Sequence, residues 1–266
     1  MMNEVSWKDG SFIHVDDLHK SFGSNEVLRG VTFDVFEGET LVILGPSGCG
    51  KSVLLKHIIA LMYPDSGRID YRGENIFDMS APELSEVRKN FGMVFQGAAL
   101  FDSMTVGENV GLPAFEHWGT RGKELSKLVD EKLELVGLGG IANLRPAEIS
   151  GGMKKRVALA RAITLDPDII LYDEPTTGLD PIMAEQINEL IRDTQKELGA
   201  TSIVVTHDLH SACFIGDRVA LVDTGRIEFV GTTDELMNTE REAVRNFIAR
   251  GHANRDRPEP DSTVSF

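Results

Sequence analysis

The eight residues Gly45-Pro46-Ser47-Gly48-Cys49-Gly50-Lys51-Ser52 fit the spacing G-x-x-x-x-G-K-[ST]. Glycines at those positions let backbone N–H groups converge on phosphate oxygens. A helix opening at Lys51 adds the positive end of its dipole. Lys51 is then set to neutralise β- and γ-phosphate charge, and the Ser52 hydroxyl to ligate Mg²⁺. Downstream, Asp168 to Glu174 reads D-I-I-L-Y-D-E, an apolar strand ending in two carboxylates. Phosphoryl transfer to water needs a metal site and a separate base. Asp173 suits the first role, largely through water. Glu174 suits the second, accepting a proton from the water that attacks the γ-phosphate. Alone, the acidic pair could also be a helix-capping cluster before Pro175; the phosphate loop upstream decides for catalysis.

Other residues gain meaning from their position. His207 follows the apolar run Ser202 to Val205, between Thr206 and Asp208, and is expected to contact the γ-phosphate and link it to Glu174. His207 and His210 form H-x-x-H, but no third ligand accompanies them, so His210 reads as a surface or capping histidine. Gln96 ends the run Phe91 to Phe95, where a neutral amide can ligate Mg²⁺ or the attacking water at a hinge. Phe22 is placed to stack on adenine, with an ordinary core or surface aromatic as the alternative. Cys49 lies near a helix start, where the dipole lowers a thiol pKa; a variable loop position is the simpler reading. Ile149 to Met153 reads I-S-G-G-M and runs into a basic, helix-prone segment. A glycine step at a helix start is a second anion site, in a chain that already has its first. Such a chain carries half of an ATP site, completed by a partner.

The elements that must hold these residues follow from hydrophobic periodicity. Strands are expected at Phe12 to Leu18, Val27 to Val35, Glu39 to Leu44, Arg68 to Tyr71, Phe91 to Phe95, Asp168 to Tyr172 and Thr201 to Val205. A hairpin is expected at Arg218 to Val222 and Arg226 to Val230, turning at Asp223-Thr224-Gly225. Helices are expected from Lys51 to about Met62, near Pro82 to Lys89, from Gly152 to Leu165 and from Pro181 to Leu198. Between 97 and 150 only helical patterns appear (Val106 to Phe115 and Lys123 to Val136), the signature of an inserted helical subdomain. The residues 251–266 form a polar tail with prolines, free or docked on a partner.

Composition narrows the function classes. The chain has 266 residues and 41% apolar content, enough for a large α/β core. Lys plus Arg number 27 against 42 Asp plus Glu, a formal charge of −15 that argues against a nucleic-acid partner. Two distant cysteines suggest no disulfide framework or zinc cluster. No run approaches the ~18–20 apolar residues of a membrane span, and the N-terminus lacks a signal-peptide stretch. The expected location is cytoplasmic, with any membrane role supplied by a partner.

The order phosphate loop, Gln96, Ser150-Gly151-Gly152, Asp173-Glu174, Gly178-Leu179-Asp180, His207 closely resembles the nucleotide-binding subunit of ABC transporters over residues 11–250. The resemblance implies an α/β P-loop core with an antiparallel β subdomain and a helical insertion at 97–150. It implies a head-to-tail dimer binding ATP and Mg²⁺, with Ser150, Gly151 and Gly152 capping the neighbour's γ-phosphate and Asp180 communicating across the interface. Met153 stands where the family usually has glutamine. It is either helix filler or a subtype mark. With G-A-A-L-F-D-S-M-T-V-G-E-N-V after Gln96 and S-V-L-L-K-H at Ser52 to His57, it is similar to the ATPase of Mla/Mce-type lipid transporters. That resemblance implies an integral permease, a mammalian-cell-entry (MCE) domain lipid-binding protein and often a STAS-domain subunit, with the ATPase on the cytoplasmic face of the inner membrane. Apolar Leu100, Phe101, Met104 and Val106 are expected to contribute to a permease-docking groove. A polar-solute importer ATPase is the first alternative. A soluble ABC ATPase is disfavoured by the single cassette and acidic charge, and a non-hydrolysing subunit by the complete set of catalytic positions.

Overall fold

The computed structural model describes residues 10–255. Its first layer is an antiparallel sheet of β1 (Ser11–Phe22) and β2 (Asn25–Phe36), completed by β4 (Ser66–Tyr71) and the short β5 (Glu74–Asn75), in the order β2-β1-β4-β5. The second is built on β3 (Thr40–Leu44), β6 (Phe91–Val94), β7 (Ile169–Asp173), β8 (Thr201–Thr206), β9 (Arg218–Asp223) and β10 (Arg226–Thr232). Its order is β10-β9-β3-β8-β7-β6, parallel except for the β9–β10 hairpin.

Every residue of β3, β7 and β8 is buried, as expected for parallel strands covered on both faces. Alternate residues serve different cores. Leu41 and Ile43 face the cluster shared with the antiparallel sheet, while Val42 and Leu44 face the cluster shared with the helices. Residues 97–150 carry α3 (Val106–Trp118), α4 (Gly122–Leu135) and a 3₁₀ turn at Pro146–Glu148, with no strand. The chain returns to the sheet through α5 (Gly151–Ala162), and α6 (Pro181–Leu198) spans the residues its periodicity predicts.

The helix after the phosphate loop is shorter than expected. The first helix, α1 (Lys51–Ile58), stops before Met62 because Ala60 turns left-handed (φ 50°) and Leu61 N–H donates back to the Lys56 carbonyl. Arg88, at the end of α2 (Ala81–Arg88), takes the Ile59 and Ala60 carbonyls that a longer helix would need. Likewise α5 ends at Ala162 rather than Leu165, and the Thr164 hydroxyl donates to the Ala160 and Val110 carbonyls. Three helices lie where none was expected: α7 (Leu209–Ile215), α8 (Thr233–Asn238) and α9 (Glu242–Arg255). The start of the expected tail, 251–255, belongs to α9, and 256–266 lies outside the described residues. Among the described residues no helix is long and apolar enough to cross a membrane.

The loop after β6 is held from inside. Asn109, fully buried in α3, accepts from Phe101 N–H and donates to the Phe101 and Thr105 carbonyls. Val106 is fully buried and Leu100 packs on the core, so only part of the expected docking set reaches the surface; Phe101 is 50% exposed. Replacing Asn109 by Ala would strip partners from buried backbone groups. Urea unfolding should show a loss of about 1–3 kcal/mol, and an unchanged midpoint would contradict this role for Asn109.

Candidate functional site

Four parallel strands in the order β3-β8-β7-β6 end on one edge, and each ends in or next to a candidate residue. β3 leads into Gly45, β8 into His207, β7 ends at Asp173 and β6 stops two residues before Gln96. Ligands of open α/β sheets bind at this carboxyl edge. Position 45 admits only glycine, because a Cβ there would collide with the Val222 carbonyl oxygen of β9. A cleft of about 450 Å³ opens at the edge. Phe22 and Val27 from the antiparallel sheet form one wall; Ser47, Gly48, Gly50, Lys51, Ser52, Val53, Gln96, Glu174, Thr177 and His207 form the rest.

Polar contacts tie the cleft together. Ser52 Oγ donates to Asp173 Oδ1 at 2.7 Å, joining α1 to β7. Lys51 is buried. Its ammonium donates to the Gly45 and Pro46 carbonyls and lies 3.5 Å from Glu174 Oε1. Glu174 Oε2 accepts from Thr177 Oγ1 at 3.1 Å and lies 2.8 Å from His207 Nδ1. The Glu174 backbone is left-handed (φ 49°), a conformation that costs roughly 1–3 kcal/mol. Its N–H is held by the Val205 carbonyl of the neighbouring strand. The geometry therefore fixes a carboxylate between a lysine ammonium, a hydroxyl and an imidazole at the floor of an open cleft. Phe22 is 48% exposed at the mouth, with the Lys20 ammonium 5.7 Å from its ring centre, so it is not a core aromatic and its ring is open to the cleft.

Ser52 and Asp173 bring a hydroxyl and a carboxylate together, and Gln96 lines the same cleft as Ser52; hydroxyl, carboxylate and amide are hard oxygen donors of the kind that suit Mg²⁺. Among the described residues no group of three or more His, Cys, Asp or Glu could hold a metal. Mg²⁺ keeps waters and takes phosphate oxygens, so such a group is not required. His210 packs near Phe214, with ring centres 6.3 Å apart.

The glycine step lies elsewhere. Ser150, Gly151, Gly152, Met153 and Asp180 are absent from the cleft lining. Ser150 is exposed and caps α5, accepting from Met153 N–H, and Asp180 caps α6, accepting from Met183 N–H. Gly151 has open space above it, whereas the Met183 methyl occupies the space beside Gly152. Met153 is partly buried against the helical core.

Two basic residues went unread in the sequence. Lys155 of α5 is buried, and its ammonium donates to the Gln96 carbonyl. Burial pulls its pKa down, opposed by the charges of Asp173 and Glu174. Arg161 donates to the Ala99 and Ala98 carbonyls at 2.8 and 2.9 Å. Both look like ordinary basic positions of an amphipathic helix, and their backbone acceptors carry no side-chain signal. Thr177 and Val27, which line the cleft, were also unread.

The family model described as "ABC transporter" matches residues 28–177, more than half of the 266-residue chain. The chain belongs to the ABC transporter family. It is the ATP-binding subunit and an ATPase. This ABC subunit is 44% identical to the probable ribonucleotide transport ATP-binding protein mkl of Mycobacterium leprae, over 90% of this chain and 69% of that one. It is 40% identical to the intermembrane phospholipid transport system ATP-binding protein MlaF of Haemophilus influenzae, over 90% of each. A solved dimeric ATP-binding cassette in a post-hydrolysis state, bound to ADP and Pi, matches with a TM-score of 0.75 at 35% identity. That match covers 83% of this chain and 98% of the cassette.

Cys49 tests the electrostatics of this ABC subunit's phosphate loop. Its side chain points into the core, and burial pushes the thiol above its ordinary value of 9.0 against the pull of Lys51. The thiolate is therefore scarce at pH 8 and grows only above the ordinary thiol value. In a Cys213→Ser background, iodoacetamide at pH 8 should label Cys49 far more slowly in the native than in the unfolded chain. Equal rates would contradict the buried thiol.

Proposed function

We propose that residues 11–250 form the ATPase domain, with 97–150 as its helical insertion, of a transporter that moves phospholipid or another hydrophobic cargo between bacterial membranes. The hydrolytic reading is carried by one observation: Glu174 is held among Lys51, Thr177 and His207 at the carboxyl edge of the sheet. Gly45, Pro46, Ser47, Gly48, Cys49, Gly50, Lys51 and Ser52 cradle the phosphates with their backbone, and Phe22 stacks on adenine. Glu174 accepts a proton from the attacking water, and His207 steadies it toward the γ-phosphate. Ser52, Gln96 and Asp173 would hold Mg²⁺, which when bound supplies charge neutralisation on the β- and γ-phosphates.

A second copy of the chain completes each site, and the dimeric cassette among the neighbours supports that reading. Ser150, Gly151 and Gly152 cap the partner's nucleotide from the start of α5, Met153 follows them without a polar group to add, and Asp180 lies at the interface. The exposure of Ser150, Gly151 and Asp180 fits this arrangement. An integral permease docks in a groove of about 660 Å³ lined by Arg88, Phe95, Phe101, Leu112 and Arg161, placing the subunit on the cytoplasmic face of the inner membrane. An MCE-domain protein and a STAS-domain subunit complete the assembly, and nucleic acid plays no part.

The lipid reading is supported by the similarity to MlaF over 90% of each chain. A polar cargo is the second reading, favoured by the name of the mycobacterial relative. Purification from membranes with mass spectrometry separates them. A permease and an MCE-domain protein are the expected companions, and a solute-binding protein in their place would overturn the lipid reading. Glu174→Gln should leave ATP binding intact and cut turnover by roughly 10²- to 10⁴-fold, the range for a lost general base. Near-normal turnover would remove Glu174 from that role.

A further inference from the structure

The segment that joins β6 to the helical insertion is strained and gripped. Ala98 and Ala99 both have left-handed backbones, φ 62° and 49°, although each carries a Cβ. Nothing in their own chemistry favours that state. α5 supplies the compensation. Lys155 caps the Gln96 carbonyl and Arg161 caps the Ala98 and Ala99 carbonyls, so two cations of one helix hold three carbonyls in four residues. Among the described residues neither cation has a carboxylate within ion-pair distance; their contacts are spent on backbone. Burial makes that use demanding, since a cation out of water needs its hydrogen bonds met.

The gripped segment separates two cavities. Gln96, at its start, lines the nucleotide cleft, whereas Ala99 lines the 660 Å³ groove together with Phe101 and Arg161 itself. The same helix is capped by the exposed Ser150, the head of the glycine step. We propose that Lys155 and Arg161 are positioning residues: they clamp residues 96–99 in a strained form that sets the Gln96 amide in the cleft, and they tie that amide to α5 and to the groove. The clamp rests on the reading that Gln96 serves the ATP site. Loss of either cation lets the alanines relax toward ordinary backbone and draws Gln96 out of register, without touching the phosphate loop.

The test compares Arg161→Met, Arg161→Met/Ala99→Gly, Lys155→Gln and Gln96→Ala in the full chain. Binding is read by trinitrophenyl-ATP titration without added metal, turnover by phosphate release, and hinge order by hydrogen–deuterium exchange over 95–102. Arg161→Met and Lys155→Gln should keep nucleotide affinity within about twofold and lower kcat by about 10- to 100-fold, as misplacement of a single group does. Exchange over 95–102 should accelerate in both. Glycine at the exposed position 99 removes the penalty for the left-handed turn, so Ala99→Gly should recover part of the lost kcat in the Arg161→Met background. A purely structural arginine would show no such recovery, and its absence alongside normal folding overturns the clamp. Should Arg161→Met fail to fold, Lys155→Gln carries the same comparison, and normal kcat in it overturns the clamp. If Gln96→Ala is impaired while both clamp variants are normal, only the clamp fails. If Gln96→Ala is itself normal, the reading of Gln96 fails first.

Discussion

The register of four parallel strands is the constraint on which everything else rests. β3, β8, β7 and β6 share one direction, so their carboxyl ends share one edge, and residues far apart in the chain meet there. Side chains alternate across a strand, and a slip of one residue would exchange the faces of an entire strand. Leu41 and Ile43 would then face the helices, and Asp173 would lose Ser52. The two apolar clusters, one on each face, are what forbid such a slip. Placement of the hydrophilic cleft is thus enforced by residues that never touch it.

Contiguous chemistry was readable from the sequence, and chemistry made by distant partners was not. The phosphate loop, the Asp173-Glu174 pair and His207 each sit beside an apolar run, so type and place were visible together. The end of α1 was not visible, because Arg88 of α2 decides which carbonyls remain free at Ile59 and Ala60. A run of apolar residues gave no sign of that. The three unexpected helices are short or amphipathic. Yet α8 opens on the legible box Thr232 to Glu235, with reciprocal side-chain and backbone bonds. Leu100 and Val106 illustrate the other limit, since apolar type alone could not tell an inward-facing residue from a docking surface.

Several catalytic-looking side chains also perform ordinary structural work. Ser150 and Asp180 each cap the helix that follows them, and Cys49 fills core space. These duties do not compete with function, because a capping oxygen or a backbone N–H keeps a free face. Substitution at Ser150 or Asp180 still removes a helix cap, whatever else the position does. Variants at Ser150 or Asp180 therefore call for a stability measurement beside any activity measurement.

The cleft has one wall on each sheet, with Phe22 and Val27 on the antiparallel layer and Lys51, Ser52 and Glu174 on the parallel one. Between these layers, Arg29 N–H also donates to the Gly225 carbonyl at the turn of the β9–β10 hairpin. A molecule seated across the cleft is therefore a rivet through two plates. It would add its own contacts to a seam that the shared apolar cluster already holds, so the fuel, while bound, would also act as a fastener.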